Sequence, residues 1–336
     1  MLTIDGGYGE AGGQILRTSI GLSAVTGKAI RIDNIRAKRC NPGLAEQHLQ
    51  AVRSVASICG AKLKGAELRS TELEFVPGKM KSGNVNVKIA TAGSVGLTLQ
   101  ALLIPAIKTD LTIKINGGGT YGKWAAPVDH FRYVLFPLLE KFGYKAEMSV
   151  EREGFYPVGG AKVKVHSGKA ELKPVEILEK GKILSIEGRS VASEHLRKAE
   201  VAERQAKAAK KVLFDNFQVD VKIKKEYSKS LCPGSGIQLW IKTENTVIGA
   251  NGLGERGKMA EIVGKEAAKQ LIQDYDKGCV DRHMADQLIP YLALAKQGKI
   301  LASEITGHVK TNAYITEKFL PVKFKIKGNM IECQKI

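Results

Sequence analysis

Acidic side chains are the scarce charge in this sequence: 34 Asp and Glu face 52 Lys and Arg, leaving a formal net charge of +18 over 336 residues. A globular chain this basic usually meets a polyanion, unless its lysines serve solubility or heat tolerance. Cysteine is also sparse. Cys40, Cys59, Cys232, Cys279 and Cys333 are scattered, without Cys-x-x-Cys or Cys/His pairs at metal spacing. A disulfide framework and a structural zinc site are therefore not expected, and a reducing cytoplasm is the expected setting. Long hydrophobic runs are missing: the stretch 97–107 is too short and too interrupted to cross a bilayer, so no membrane partner is expected. The opening Met1-Leu2-Thr3-Ile4-Asp5 has no charged region followed by an apolar core, so no signal peptide is expected.

What is present reads as a well-packed α/β chain with 43% hydrophobic residues. A short strand, 2–5, runs into Gly6-Gly7-Tyr8-Gly9-Glu10-Ala11-Gly12-Gly13, where the backbone can approach a ligand closely. The loop matches neither the phosphate-binding GxxxxGK[ST] pattern nor the dinucleotide fingerprint. A helix over 14–26 follows, with an apolar stripe from Ile15 to Val25 ended by Gly27, and then a strand over 29–32. The basic loop 35–44 holds Arg36 and Arg39 just before Gln47 and His48, which open a second helix. Arginine forks and helix N-termini both favour anions.

A fixed offset then repeats this pattern. It carries Gly60 onto Gly143, Ile30 and Ile32 onto Ile113 and Ile115, and Leu16-Arg17 onto Leu99-Gln100. The second unit thus has helices over 93–108 and 127–142. A looser third copy has a helix over 285–296, Gly298-Lys299 in place of Gly27-Lys28, and a strand over 300–305 leading to His308. The segment 303–314 itself reads as a strand, with Gly307 breaking the alternation before His308. Among Thr306, Lys310, Thr311 and Asn312, that imidazole can serve as acid, base, metal ligand or nucleophile. The texture changes over 183–248, with a strand at 183–189 and a basic helix over 191–213, which suggests an inserted domain. The helix over 259–275 matches the second helix of each unit. The expected organisation is a large layered α/β domain, 1–182 and 249–336, interrupted by a small α/β domain, 183–248.

With these pieces in hand, the sequence resembles RNA 3′-terminal phosphate cyclases along essentially its whole length. The matching residues are Asp5-Gly6 through Gly9-Glu10, Gly12-Gly13-Gln14-Ile15-Leu16-Arg17, 36–39, Pro42-Gly43-Leu44 and Gln47-His48-Leu49. They continue through Gly154-Phe155-Tyr156-Pro157, Gly159-Gly160, Ala285-Asp286-Gln287-Leu288, Gly307-His308 and Thr311-Asn312. The resemblance implies three repeated units, each a four-stranded sheet with two helices, and an inserted domain of thioredoxin-like type. It implies use of ATP and a divalent metal, Mg or Mn, to turn an RNA 3′-phosphate into a 2′,3′-cyclic phosphate through a covalent histidine–AMP and an RNA-(3′)pp(5′)-adenosine end. By resemblance His308 is the nucleophile, Glu10 contacts the metal, and Arg17, Arg36, Arg39, Gln47 and His48 grip the RNA phosphate. Gln100, His283, Met284, Ala285, Asp286 and Gln287 fall at ATP-contacting positions, with Pro127 and Phe131 flanking the adenine. Two departures stand out: His283 where relatives can carry Tyr, and Ala11 where Gly is common. A homodimer is compatible with the resemblance; the sequence does not fix the oligomeric state.

Three rivals remain. Non-catalytic relatives acting in ribosomal RNA processing lack the histidine, whereas His308, Glu10 and the arginines are present here. An enolpyruvyl-transferase-like enzyme would need lysine and arginine motifs that are absent. A plain RNA-binding protein is compatible with the charge alone.

Overall fold

Isoleucines at alternate positions build two strands that face the core. Ile30 and Ile32 are fully buried while Arg31 between them points outward, and Ile113 and Ile115 repeat this one unit later. In the computed structural model, which describes residues 1–123 and 125–336, each such strand belongs to a four-stranded sheet.

The first unit is β1 (Leu2–Asp5), α1 (Gly13–Thr26), β2 (Ile30–Asp33), α2 (Glu46–Cys59), β3 (Lys62–Lys64) and β4 (Leu73–Val76), with sheet order β1-β2-β4-β3. The second runs β5 (Gly83–Ser94), α3 (Val95–Ala106), β6 (Leu111–Gly119) and α4 (Val128–His130). It continues through the π-helical turn Phe131–Leu135 into α5 (Phe136–Lys141), then β7 (Ala146–Arg152) and β8 (Lys162–Ser167), ordered β5-β6-β8-β7. In both sheets the first two strands are parallel and the others antiparallel.

The third unit starts with β9 (Val175–Ile177) and is then interrupted. Into it are set β10 (Ile183–Ser193), a 3₁₀ turn (Glu194–Ala199), α6 (Val201–Phe217), β11 (Val221–Ser228), β12 (Ser235–Thr243), β13 (Val247–Leu253) and α7 (Ala260–Lys277). The unit resumes with α8 (Arg282–Gln287), α9 (Ile289–Leu294), β14 (Gly298–Leu301), α10 (Gly307–Phe319), β15 (Val322–Lys327) and β16 (Met330–Lys335). Its sheet order, β9-β14-β16-β15, repeats that of the other two, with β9 and β14 parallel.

Gly27 and Gly60 end α1 and α2 in left-handed geometry, at φ 71° and 58°. That requirement explains why a glycine recurs at the end of the repeated helices. α1 is buried on every side from Gln14 to Ala24 and packs against α2, α3 and α10. It is the central helix on which the three units meet, within one core that runs from Ile4 to Cys333.

Four expectations change. The expected domain limit at 248 cuts through β13, which pairs with β12 as far as Leu253. The helix expected over 259–275 is α7; its Val263, Ala267 and Leu271 share a separate core with Ile186, Leu239 and Ile248 of the inserted sheet β11-β10-β12-β13. It closes the insert rather than opening a repeat helix, and α10 takes the place expected for it. β10 continues to Ser193, so α6 starts at Val201 rather than near 191. Finally, 307–314 is helical. Thr306 caps α10 by accepting from Val309 N at 3.4 Å, and Val309, Asn312, Ala313 and Thr316 are buried at helical spacing. No helix of the described residues is long and apolar enough to cross a membrane.

Candidate active site

The glycine loop between β1 and α1 lies against the first turns of α10 and α2, and its missing side chains make that approach possible. A Cβ at Gly9 would stand 2.6 Å from Thr311 Oγ1, and one at Gly12 would stand 3.0 Å from Arg39 Nη2. At Gly13 it would overlap His48 Nε2 and come within 2.9 Å of Arg17 Nη1. At Gly307 it would overlap the Glu10 carboxylate. Five residues expected at the site, Glu10, Arg17, Arg39, His48 and His308, are thus gathered around one loop.

His308 occupies the second position of α10, with Nε2 3.3 Å from Glu10 Oε2. Both side chains are partly open, at 42% and 45% exposure, so they can meet a ligand. Partial burial lowers the His308 pKa below the usual imidazole value. Arg17 and Arg39 act in the same direction, while Glu10 opposes them. The ring is therefore disposed to be neutral, and the N-terminus of α10 favours phosphate beside it.

Below the loop, Arg17 is 8% exposed and donates through Nε to Gln100 Oε1 at 3.1 Å. Burial brings its pKa down to about 10, with Asp286 opposing. Asp286 is pushed up to about 7 by burial, with Arg17 pulling it back. Gln14, which sequence reasoning did not single out, ties these parts together: its Nε2 donates to Asp286 Oδ2 at 2.9 Å and to the His308 carbonyl at 3.3 Å. Its Oε1 is buried without a hydrogen-bond partner among the described residues. Thr18 donates to Asn312 Oδ1 at 2.7 Å, and Asn312 Nδ2 donates to the Asp286 carbonyl at 2.8 Å. A cavity lined by Arg17, Gln100, Asp286, Gln287 and Asn312 lies between α1, α3 and α8.

Among the residues expected at the RNA phosphate, His48 is buried and accepts from Ala45 N at 3.3 Å through Nδ1. Burial, with Arg17 and Arg36 adding to it, depresses its pKa to about 3, so it is a neutral hydrogen-bonding group. Arg36 donates to the Gly43 carbonyl at 2.7 Å and shapes the basic loop. Gln47 abuts Gly93 at the end of β5.

The residues expected to contact ATP divide. His283 packs edge-on to His130, with ring centroids 5.6 Å apart, and burial brings its pKa down to about 4. Asp281 caps α8 by accepting from the backbone of His283 and Met284, and it lies 3.3 Å from His130 Nε2. An Asp just before a helix is a readable capping signal that had gone unused. Met284 and Ala285, also expected at the nucleotide, are fully buried core residues, and both backbone amides bond Asp281. Phe131, expected beside the adenine, is fully enclosed: it starts a π-helical turn and packs on Gly96. Pro127 is likewise buried, at the head of α4.

Fold and site together define a triplicated α/β protein whose histidine–carboxylate pair is set near the buried Arg17 and the exposed Arg39. Comparison with known proteins makes this specific. A family model described as RNA 3′-terminal phosphate cyclase matches residues 8–326. The chain is 46% identical over 330 residues to an RNA 3′-terminal phosphate cyclase of Thermococcus kodakarensis, covering 97% of this chain and 95% of the relative. It is 47% identical over 336 residues to that of Pyrococcus abyssi (98% and 96%) and 46% identical over 342 residues to that of Methanopyrus kandleri (98% and 96%). The chain belongs to the RNA 3′-terminal phosphate cyclase family and is an enzyme of that family.

Proposed function

We propose that this enzyme converts an RNA 3′-terminal phosphate to a 2′,3′-cyclic phosphodiester at the expense of ATP, with His308 as the nucleophile. The observation that carries this reading is the position of His308. It is partly open, disposed to be neutral, at the phosphate-favouring start of a helix, and 3.3 Å from a carboxylate on the glycine loop.

A phosphomonoester cannot be cyclised directly, because oxide is too poor a leaving group. In the first step a ring nitrogen of His308 forms a bond to the α-phosphorus of ATP as the bond to pyrophosphate breaks. In the second, an oxygen of the RNA 3′-phosphate takes the adenylyl group and returns neutral imidazole. In the third, the neighbouring 2′-hydroxyl attacks the activated phosphorus, gives up its proton, and AMP departs. Covalent catalysis thus divides one hard transfer into manageable ones.

Arg17 and Arg39 suit the RNA phosphate dianion, since guanidinium forks match its geometry. Gln100, Asp286, Gln287 and the orphaned Gln14 Oε1 offer polar groups to the nucleotide. A divalent ion, Mg or Mn, also fits. No group of three or more His, Cys, Asp or Glu side chains placed to hold a metal ion exists among the described residues, but such ions are commonly held by one carboxylate plus substrate phosphates and water. Glu10 would hold it, and the ion would supply neutralisation of phosphate charge.

The test is incubation with α-labelled ATP and Mg, scoring acid-labile label on the protein, followed by an RNA bearing a 3′-phosphate. Wild type should label and then yield the cyclic end, while His308→Ala should do neither. Absence of label on wild type, or equal labelling of the variant, would leave the chain as a non-catalytic RNA-binding relative.

A further inference from the structure

A groove along the exposed edge strand of the inserted sheet has no part in the chemistry above. Lys207 and Lys210 of α6 line it together with Lys222, Lys224 and Lys225 of β11, and all five are exposed. Lys210 pairs with Asp220 at 3.1 Å and Lys224 with Glu226. Lys207, Lys222 and Lys225 have no carboxylate partner among the described residues. Two carboxylates also line the groove, Glu187, which accepts from Ser185, and Glu203, which accepts from the Tyr227 hydroxyl, and the five lysines outnumber them.

At the body end, Tyr133 and Trp240 stack at 4.2 Å and 4°, with Arg132 over the Tyr133 ring. The aromatic faces are thereby occupied, so the groove offers no platform for bases. What it offers is an excess of positive charge along the sheet edge, with Lys222 on one face of β11 and Lys225 on the face that α6 covers. The channel is also fixed in place. Arg189 in its wall bonds Asp129 of α4 at 2.6 Å, and Asp281, which caps α8 of the ATP side, accepts from Gly249 of β13 at 3.1 Å.

We propose that this groove binds the phosphate backbone of the substrate RNA upstream of its reacting 3′ end, through Lys207, Lys222 and Lys225 and without reading sequence. The inference rests on the proposed RNA substrate and assigns a second contact site for it. Phosphate contacts of this kind give affinity that falls with salt, and each one lost flattens the slope.

The experiment compares wild type, the groove triple variant Lys207→Gln/Lys222→Gln/Lys225→Gln, and a control triple variant, Lys88→Gln/Lys114→Gln/Lys164→Gln. The control lysines lie exposed on the sheet of the second unit. Direct binding is measured with a 3′-phosphate RNA longer than about 16 nucleotides, the upper site size of a single-strand-binding fold. Three single-strand phosphate contacts predict that, from about 50 to 200 mM salt, wild type loses roughly 20-fold more affinity than the groove variant. The control should follow wild type, and cyclisation of a 3′-phosphate RNA of about 3 nucleotides, shorter than such a site, should be equal in all three proteins. Equal long-RNA affinity of wild type and groove variant overturns the proposal, as does an equal loss in the control. If wild type fails to cyclise the short RNA, the functional reading falls, while the binding comparison still decides the groove.

Discussion

Gly307→Ala separates the site's chemistry from its stability. Gly307 opens α10, and its φ is outside the left-handed region, so the backbone accepts alanine without strain. Removing glycine's freedom in the unfolded chain should stabilise by about 0.4–1 kcal/mol. Against this, the new Cβ would overlap Glu10 Oε1 and stand 3.2 Å from its Cδ, forcing the carboxylate away from His308. Both partners are more than a third exposed, so losing that contact costs the fold only about 0.2–1 kcal/mol. The two terms nearly cancel, and Tm should stay within a degree or two of wild type, or about 1 kcal/mol. Catalysis does not share this cancellation, because displacing a reacting group by about 1 Å can cost on the order of 100-fold. Self-adenylylation, followed by label from ATP, should slow by roughly 10- to 100-fold. The pH profile carries the second signature. Glu10 holds the His308 pKa up, so moving it away lowers that pKa, and the acidic limb of the reaction should shift to lower pH. A variant with wild-type rate and an unshifted limb, or one that unfolds early, would refute the role given to this contact.

Gly13→Ala should behave differently, because the groups it meets, His48 and Arg17, are buried and cannot step aside. Overpacking there should cost about 1–3 kcal/mol in urea denaturation, and an unchanged midpoint would contradict the close approach. Arg189→Met strips the cation from buried Asp129 and Glu153, which lie 2.6 and 2.8 Å from its Nη1, and should cost about 3–5 kcal/mol at pH 7. Burial already raises the Glu153 pKa and losing Arg189 raises it further, so the variant should regain stability as pH falls and the folded state takes up a proton. His48 has a folded pKa of about 3, so its contribution is complete above its unfolded value near 6.5 and is lost as pH falls toward 3. Wild type should therefore lose roughly 2–3 kcal/mol by pH 4.5 that His48→Gln does not lose, as read by denaturation midpoints at the two pH values. Arg39→Ala should lower use of 3′-phosphate ends by roughly 10- to 100-fold, the worth of a charge-assisted hydrogen bond, while self-adenylylation survives. Equal loss of both steps would move Arg39 to the nucleotide.

The repeat was legible because its markers are local: buried isoleucines at alternate positions, and glycines that end helices in left-handed geometry. The insert's limit was not, because periodicity shows that α7 has an apolar face but not which sheet covers it. Val263 and Leu271 would look the same on either. The segment 303–314 misled for a related reason. Ser303, Ile305, Gly307 and Val309 alternate as in a strand, and only the cap at Thr306 and the burial of Asn312, Ala313 and Thr316 distinguish a helix. The residues expected at the site came from resemblance, whereas the groups that hold them were not legible. Gln14 and Asp281 earn their places through partners far away in the chain, Asp286 and His130, which no local pattern reveals.

The three units also set His308, the proposed nucleophile, apart from its counterparts. Each unit's second helix starts with a histidine in its first turn: His48 on α2, His130 on α4 and His308 on α10. His48 is 4% exposed and spends Nδ1 on the Ala45 amide. His130 is 0% exposed, with Nδ1 3.2 Å from Gln238 and Nε2 3.3 Å from Asp281. In both, each ring is enclosed and committed to a neighbour, so it can support a site but cannot form a bond to a phosphorus. The His308 ring meets the Glu10 carboxylate, and 42% of its side chain is open. The inserted unit contributes to this difference, since Gln238 of β12 helps to hold His130 closed. Equivalent places in a repeated fold thus diverge by what covers them, and the copy left partly uncovered is the one that meets Glu10.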